Sequence, residues 1–275
     1  MNKSPVKAKY QFGFVFSFAL LHLAALAVCI LTPWSRAAFL WLAGSYMVRM
    51  FGVTGGYHRY FSHRSYKMNR TAQFALAVLA QASGQKGVLW WAAHHRTHHR
   101  HSDAEGDIHS PVKRGFWWSH VGWVVSNEHD DYDQASVRDL ARYPELRWLD
   151  RHHWVPTAAY ALAVLLIGGT QAFLWGYIVS TVVLYHCTFS INSLAHVWGS
   201  RPFVTRDGSR NNFWLALLTL GEGWHNNHHF SSGSCRQGYR WWEIDLTYYI
   251  LRVFSFFGLT RDLRPFRQPL KRASL

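Results

Sequence analysis

Two segments of the chain carry three histidines each at the same spacing. In both, the histidines occupy positions i, i+3 and i+4, which share one face of an α-helix, so each set aims three imidazoles at the same space. Neutral imidazole is the commonest metal-binding side chain in proteins. The repeated spacing therefore predicts a metal site. The sets are His95, His98 and His99 in HRTHH and His225, His228 and His229 in HNNHH.

A third segment, HRYFSH, carries His58 and His63 five residues apart. On an ideal α-helix five residues turn through about 500°, which leaves the two rings about 140° apart. Either the helix unwinds near Gly55 and Gly56, or the two rings serve different ions. The three segments together hold more imidazoles than one tetrahedral or octahedral ion takes from protein. A dinuclear centre is therefore predicted.

A ninth candidate ligand, His196, follows Asn192 by four residues near the end of an apolar run. Such a polar pair is costly where it faces lipid and indicates function where it faces a protein interior. We expect it to point at the three histidine segments. Ligation by imidazoles alone suits iron, copper, nickel or zinc, and the residues do not choose among them.

The elements that position these residues are apolar. The chain has 275 residues, a formal charge of +14 and 17% aromatic residues, and its basic residues alternate with long apolar runs. This alternation favours a membrane over nucleic acid as the partner. Four runs are long enough to cross a bilayer, and the turns TPWSR and GGTQ join them into two hairpins. The predicted spans are 12–31, 37–53, 156–175 and 177–195.

Charge asymmetry predicts the topology. Arg36 is the only basic residue in the two hairpin turns, so the positive-inside rule places both termini and the polar stretches 55–155 and 199–275 in the cytosol. The predicted fold is an all-α integral membrane protein with four transmembrane helices in two hairpins. Residues 1–275 would form one domain, whose cytosolic helical cap holds the dinuclear site. The lack of an evident targeting extension favours a bacterial plasma membrane.

The sequence argues against several classes of protein. Ser-His-Asp, Walker, GxGxxG and HExxH patterns are missing from the sequence, which argues against hydrolysis and nucleotide chemistry and favours oxidation of an apolar molecule. Cys29, Cys187 and Cys235 are too dispersed to indicate a disulfide framework or a zinc ribbon. A metal transporter would carry its ligands within the spans, whereas these histidines mostly flank them.

These motifs resemble those of the membrane-bound fatty acid desaturases, most closely the stearoyl-CoA type of Δ9 acyl-CoA desaturases. The resemblance extends over about 51–263 and covers FGVTGGYHRYFSHRSYK, HHRTHH, RGFWWSHVGW, NSLAHVWG and GEGWHNNHH in the family's order. It implies O2-dependent insertion of a cis double bond at Δ9 of a saturated acyl chain, with acyl-CoA as the expected substrate. A related membrane diiron hydroxylase is the nearest alternative.

The resemblance also implies the cofactors and the ligand set. Two irons are expected, with O2 as co-substrate, without bound haem or flavin, and with a separate electron donor of ferredoxin or cytochrome type. Asn192 matches a position that contacts one metal through water. The implied ligands are His58, His63, His95, His98, His99, His196, His225, His228 and His229.

Substrate contacts follow from the same resemblance. Gln85, Trp91 and Thr188 match positions that line the acyl tunnel, while Phe189 replaces the usual tryptophan. The remaining match concerns the head group. Lys113 and Arg114 match a basic pair that meets the CoA phosphates.

Two features leave the carrier of the acyl chain and the donor contact open. Ala93 and His94 stand where animal enzymes carry an Arg-Asp pair that contacts CoA, so acyl groups on phospholipid or carrier protein remain alternatives. Basic residues near the end of the chain could steer an acidic donor, although the positive-inside rule explains the same charges. These are Arg261, Arg264, Arg267, Lys271 and Arg272.

Overall fold

The fold is all-helical. This computed structural model describes Tyr10 and residues 12–266, and within them no β-strand occurs, only isolated bridges. The predicted all-α class is confirmed. The α-helices are α1 (Phe12–Leu31), α2 (Arg36–Phe51), α3 (Arg70–Gln81), α4 (Val88–His101), α5 (Pro111–Arg114), α6 (Trp123–Val125), α7 (Arg138–Ala141), α8 (Pro144–Arg151), α9 (Trp154–Ala172), α10 (Ser180–Asn192), α11 (Phe213–Leu218), α12 (His225–Phe230) and α13 (Leu246–Phe256).

Shorter segments of other helix types connect some of them. Gly52–Ser62, Trp118–Gly122 and Phe173–Val179 are π-helical, and Gln134–Val137 and Leu194–His196 are 3-10 helices.

Three continuous helical stretches of the described chain are long and apolar enough to cross a membrane. They are Phe12–Leu31, Arg36–Ser62 and Trp154–His196. The first coincides with the predicted span, and most of its side chains are exposed, as lipid contact requires.

The longest stretch is broken at Gly169. This residue has φ 70° and ψ −167°, a conformation that only glycine adopts without strain, and it lies in the predicted GGTQ turn. The residues on either side of the break lie close together, because the Arg49 guanidinium is 5.1 Å from the ring of Tyr160 and 5.5 Å from the ring of Tyr177. The chain therefore turns back on itself within this stretch.

The second stretch continues beyond the predicted boundary near residue 53, since α2 runs directly into the π-helical segment Gly52–Ser62. Close packing explains why glycine begins this segment: a Cβ on Gly52 would lie 2.7 Å from the carbonyl oxygen of Leu79 in α3. In a π-helix the amide of residue i+5 bonds to the carbonyl of residue i. The His63 amide donates such a bond to the His58 carbonyl over 3.2 Å.

Two apolar cores hold the helices in place. One lies where α1, α2 and the π-helical segment Phe173–Val179 meet, around Ala25, Ala38 and Trp175. The other joins the π-helical segment Gly52–Ser62 to α3, α4, α8 and α13. The shorter apolar runs 72–82, 212–220 and 246–259 contain α3, α11 and α13. The second core fixes the elements that carry most of the histidines.

Candidate metal centre and adjoining cavity

Nine histidines converge in two adjacent groups. In the first histidine group, the Nε2 atom of His228 lies 3.0 Å from Nε2 of His58 and 2.9 Å from Nε2 of His99, and Nε2 of His63 lies 2.8 Å from Nε2 of His95. In the second, Nε2 of His196 lies 3.0 Å from Nε2 of His225. Each group brings one nitrogen from every member within 4.8 Å of the others. The first group is His58, His63, His95, His99 and His228; the second is His98, His196, His225 and His229.

The first group answers the question posed by the five-residue spacing. His58 and His63 belong to the same group, with ring centroids 4.8 Å apart. The helix is underwound into a π-helix through Gly55 and Gly56 without breaking, and the two rings are not divided between the two groups. The π-helix places residues five apart above one another, which the α-helical rotation could not.

The spacing of the nitrogens fits a metal ion. Two ligands at about 2.1 Å from one ion and at right angles to each other are about 3.0 Å apart, which matches the contacts between the Nε2 atoms of the two groups. The buried Nε2 of His229 has no hydrogen-bond partner among the described residues. Its lone pair faces the other members of its group, as in a ligand.

Carboxylates hold the opposite nitrogens of four of these histidines. In the second group, His98, His196 and His229 donate from Nδ1 to Asp107, Asp103 and Asp207 over 3.0, 2.8 and 2.8 Å. A proton fixed on Nδ1 leaves the Nε2 lone pair free for a metal.

In the first group, His58 pairs with Glu222 over 2.5 Å. The buried Arg59 holds Glu222 in turn through Nη2 at 3.0 Å and also pairs with Asp245. Residue types alone did not identify any of these carboxylates, although Asp103, Asp107 and Glu222 lie within a few residues of the histidine motifs.

The three histidines on α4 are positioned by a residue that caps the start of this helix from a distant part of the sequence. This helix begins after Gly87, and the amides of Leu89 and Trp90 donate to Oδ1 of Asp150 over 2.9 and 3.0 Å. A Cβ on Gly87 would lie 2.0 Å from that oxygen, so the close approach of Asp150 requires glycine there. The cap fixes the start of α4 and therefore the direction of its histidine face.

The triplet on α12 is placed by its two asparagines. The amides of Asn226 and Asn227 donate to Oδ1 of Asn211, and the side chain of Asn227 donates to Glu243 over 3.0 Å. Both asparagines are fully buried on the face of α12 away from the histidines. The motif HNNHH therefore combines metal-binding and anchoring residues in a helix of six residues.

Burial keeps the imidazoles neutral. It lowers the pKa values well below 6.5 for five of them, and repulsion from neighbouring imidazoles lowers them further. For His229, burial lowers the pKa to about 4 against the opposing effect of Asp207. Burial by itself would raise the pKa of Asp103, but its bond to His196 brings the pKa down to about 2. Neutral imidazole is the form that binds metal. The five are His63, His95, His99, His225 and His228.

A largely apolar cavity of about 780 Å³ adjoins the histidines. All four residues predicted to line an acyl tunnel lie in its wall, and Gln85 donates to Thr188 over 3.1 Å across it. Phe14, Phe18 and Tyr185 supply much of the remaining surface. The four predicted residues are Gln85, Trp91, Thr188 and Phe189.

A second cavity of about 460 Å³ lies between this space and the histidine groups. It shares Trp91, His95, Thr188 and Asn192 with the larger cavity. Its other wall includes members of both histidine groups: His58, His98 and His225. Asn192 therefore stands where the two spaces meet, beside His196 in the chain.

Lys113 and Arg114 lie outside the walls of both cavities. The Lys113 side chain is exposed, and Arg114 pairs with Glu128 over 2.7 Å and covers the ring of Trp118. Lys86 is the only Lys or Arg among the described residues that line the larger cavity, and its Nζ is 2.9 Å from Asp130. Contact between Lys113, Arg114 and a phosphate stays a prediction.

Three further histidines form a chain of hydrogen bonds beside the larger cavity. Nε2 of His22 in α1 is 2.9 Å from Nε2 of His186 in α10, whose Nδ1 is 3.0 Å from Nε2 of His120. Nδ1 of His120 is 2.9 Å from Oγ of Ser193. We call these four residues the histidine chain. It joins α1 to α10 and ends one residue from Asn192.

The sequence is similar to those of known proteins. A sequence model described as fatty acid desaturase matches residues 31–260. A Nostoc protein named sn-2 palmitoyl-lipid 9-desaturase is 36% identical over 258 residues, which are 90% of this chain and 88% of that protein. The Delta-9 acyl-lipid desaturase 2 of Arabidopsis thaliana is 38% identical over 255 residues, 91% of this chain and 81% of that protein. An acyl-CoA C20 Delta5-desaturase of Anemone leveillei is 36% identical over 220 residues, 78% of this chain and 70% of that protein.

Proposed function

Because the chain belongs to the fatty acid desaturase family, we propose that it uses O2 to insert a cis double bond at Δ9 of a saturated acyl chain. The observation that carries this proposal is the shared wall of the two cavities. Trp91, Thr188 and Asn192 line both the apolar space and the space bounded by the histidines. A methylene of a bound chain would therefore lie close to the metal centre.

The two histidine groups would hold two irons, five imidazoles at one and four at the other. Asn192 would reach one of them through water. Bound iron would supply the oxidation of an unactivated methylene, which no acid or base in the chain can perform. The carboxylates on Nδ1 of His58, His98, His196 and His229 orient these ligands and partly offset the charge of the ions.

The cavity residues would position the chain. Phe189 and Tyr185 stack with centroids 5.6 Å apart and form an aromatic wall, and the bond between Gln85 and Thr188 lies in the same cavity. Apolar walls exclude water and hold the chain in one register, so that the same pair of carbons meets the centre in each turnover.

The carrier of the acyl chain would be a lipid. CoA has several phosphates, which need basic partners, whereas the only Lys or Arg in the described cavity wall is already paired with Asp130. Two of the similar proteins are named for lipid-linked substrates. Acyl-CoA is the second candidate, favoured by the exposed Lys113 and by the name of the Anemone protein.

The chain would work as one domain within a bilayer. The three membrane-length stretches, the third of them turning at Gly169 into a hairpin, would give four spans, with the histidine cap and both termini in the cytosol of a bacterial plasma membrane. Reduction of O2 to two waters takes four electrons, and the acyl chain supplies two of them. The other two would come from a separate ferredoxin or cytochrome.

Product analysis tests the function. Wild type and His228→Ala are expressed in a desaturase-deficient host, and double bonds are located by mass spectrometry within each lipid class. A new cis-Δ9 chain with wild type alone is the expected result. A hydroxylated chain would show the related oxygenase instead. To identify the carrier, purified enzyme with a reductant is given either labelled acyl-phospholipid or labelled acyl-CoA with the same acyl chain. Unsaturated product formed from acyl-CoA alone overturns the lipid assignment.

A further inference from the structure

One loop of the cap carries arginines without acidic partners. We call residues 199–210 the arginine loop; they connect the 3-10 helix Leu194–His196 to the segment before α11. Arg201 and Arg206 are exposed, and neither they nor Arg210 form an ion pair within the described residues. Arg201 donates only to neutral groups, Thr205 and the Asp207 carbonyl. Elsewhere on the surface Arg70, Lys67 and Arg114 are paired with carboxylates, whereas the exposed Arg138, Arg142 and Arg147 form no ion pair within the described residues.

The one acidic residue of the arginine loop faces inward. Asp207 directs its carboxylate at the ligand candidate His229, with Oδ2 2.8 Å from Nδ1, and its side chain is only 10% exposed. The outer surface of the loop is therefore basic. Asp207 thus links this loop by a single hydrogen bond to a member of the second histidine group.

The loop also presents apolar side chains to solvent. Val204 is 96% exposed and Trp198, just before the loop, is 55% exposed. Such residues beside unpaired arginines match the composition of protein interfaces, in which Arg and Trp are enriched. The loop is backed by firm packing: Phe203 stacks on Phe230 at 4.3 Å, and its amide donates to Asn226 over 2.8 Å. The surface is thus held on α12, the helix that carries three of the histidines.

We propose that the arginine loop is the docking surface for an acidic one-electron carrier protein, and that electrons enter the centre through Asp207 and His229. The proposal rests on the proposed function. Each turnover needs two dockings: two electrons from the carrier, two hydrogen atoms from the acyl chain and two protons from solvent reduce O2 to two waters. Charge complementarity would raise the association rate, and the direct bond to His229 would make the transfer distance short.

The surface expected from the sequence was a different one. Of the basic residues near the end of the chain, Arg261 and Arg264 are exposed, while Arg267, Lys271 and Arg272 lie outside the described residues. Arg261 forms a backbone bridge with Lys67. Lys67 follows the ligand candidate His63 by four residues, but no contact between Arg261 and a ligand candidate occurs among the described residues. The arginine loop instead has a direct contact with a ligand candidate.

Electron uptake tests the proposal separately from desaturation. Iron-loaded enzyme in nanodiscs of neutral phosphatidylcholine is mixed without O2 with a reduced acidic [2Fe–2S] ferredoxin, and ferredoxin oxidation is followed by stopped-flow absorbance. For Arg201→Glu/Arg206→Glu we expect a second-order rate at least about tenfold lower and less sensitive to salt. The same variant should match wild type in dithionite-driven product formation, which does not need docking.

A matched double variant separates a local effect from a change of net charge. Arg138→Glu/Arg147→Glu reverses two exposed arginines on α7 and α8, away from the loop, and should leave the ferredoxin rate unchanged. Equal loss in both variants, or no loss in the loop variant, overturns the proposal.

Val204→Asp adds a test that removes no arginine and should also slow uptake. If the loop instead binds anionic lipid, the loop variant will match wild type in neutral nanodiscs and differ only when phosphatidylglycerol is added, which also overturns the proposal. Failure of wild type to form product with dithionite refutes the proposed function but leaves the uptake result valid.

Discussion

The imidazoles of His99 and His229 stack with their centroids 4.4 Å apart and an interplanar angle of 27°. One belongs to the first histidine group and the other to the second, so this contact joins the two groups. Residues 130 positions apart in sequence thus make the two candidate metal sites neighbours rather than independent sites. Ions bound in both would act on the same small space.

Removing one nitrogen ligand tests the first group. His228→Ala deletes the imidazole whose Nε2 contacts both His58 and His99. We expect bound iron to fall from about two to about one per chain and desaturation to fall more than about 100-fold. Iron is measured by plasma mass spectrometry on detergent-purified protein.

His101→Ala is the matched control, because His101 is an exposed histidine on α4 that belongs to neither group. It should keep full iron and activity. Full iron and activity in His228→Ala would remove His228 from the ligand set.

Replacing the carboxylate partner of a histidine tests how much the orientation of that ligand contributes to metal affinity. In Asp103→Asn the amide oxygen can still accept from Nδ1 of His196, but the negative charge is lost. We expect metal affinity about tenfold or more weaker, with helix content unchanged. Competition with a coloured chelator measures the affinity. Asp131→Asn, at an exposed position, is the control; equal affinities for the two variants would show that Asp103 does not support the site.

Two glycines in one membrane-length helix test the close packing on α3. Gly52→Ala would place a Cβ 2.7 Å from the Leu79 carbonyl oxygen, whereas nothing lies within 4 Å of a Cβ on Gly44. We expect Gly52→Ala to destabilise the protein by about 1–3 kcal/mol and to loosen metal binding by His58 and His63. Gly44→Ala should be neutral or slightly stabilising. Thermal unfolding followed by circular dichroism distinguishes the two, and equal melting temperatures would contradict this account.

Stability of the metal-free protein should depend on pH. Burial lowers the pKa of His229 from 6.5 to about 4, so between these values the unfolded chain binds a proton that the folded protein does not. Stability is therefore fully present above about pH 6.5 and falls as the pH drops towards 4, by about 3 kcal/mol from this residue alone. Thermal melts from pH 7.5 to 4.5 should decline accordingly. His229→Gln should flatten the decline, and an unchanged slope would assign it to other groups.

The sequence predicted much of this site because its signals are local. Residues at i, i+3 and i+4 share a helix face whatever the tertiary structure, so the triplets on α4 and α12 were recognisable in HRTHH and HNNHH. Likewise GGTQ predicted the turn that the structure places at Gly169. The resemblance to the fatty acid desaturases is confirmed by the family model and by relatives that cover most of the chain.

Other features depend on packing that no local pattern shows. The relation between His58 and His63 follows from a π-helix, which forms where Gly52 packs on α3. The carboxylate of Asp207 reaches His229 from a loop that the chain order does not bring near α12. The histidine chain was equally hidden, since His22 alone in an apolar run is indistinguishable from a packing residue.

The histidine chain has a consequence that follows from counting protons. It runs from the carbonyl of Phe18 through His22, His186, His120 and Ser193 to the carbonyl of Phe189, with five hydrogen-bond contacts in all. Three neutral imidazoles and one hydroxyl supply only four protons for those contacts. While every group is neutral, one contact must go unmade, whereas a single additional proton shared along the row completes all five. The hydrogen-bonded link between α1 and α10 is therefore complete only when one additional proton is bound.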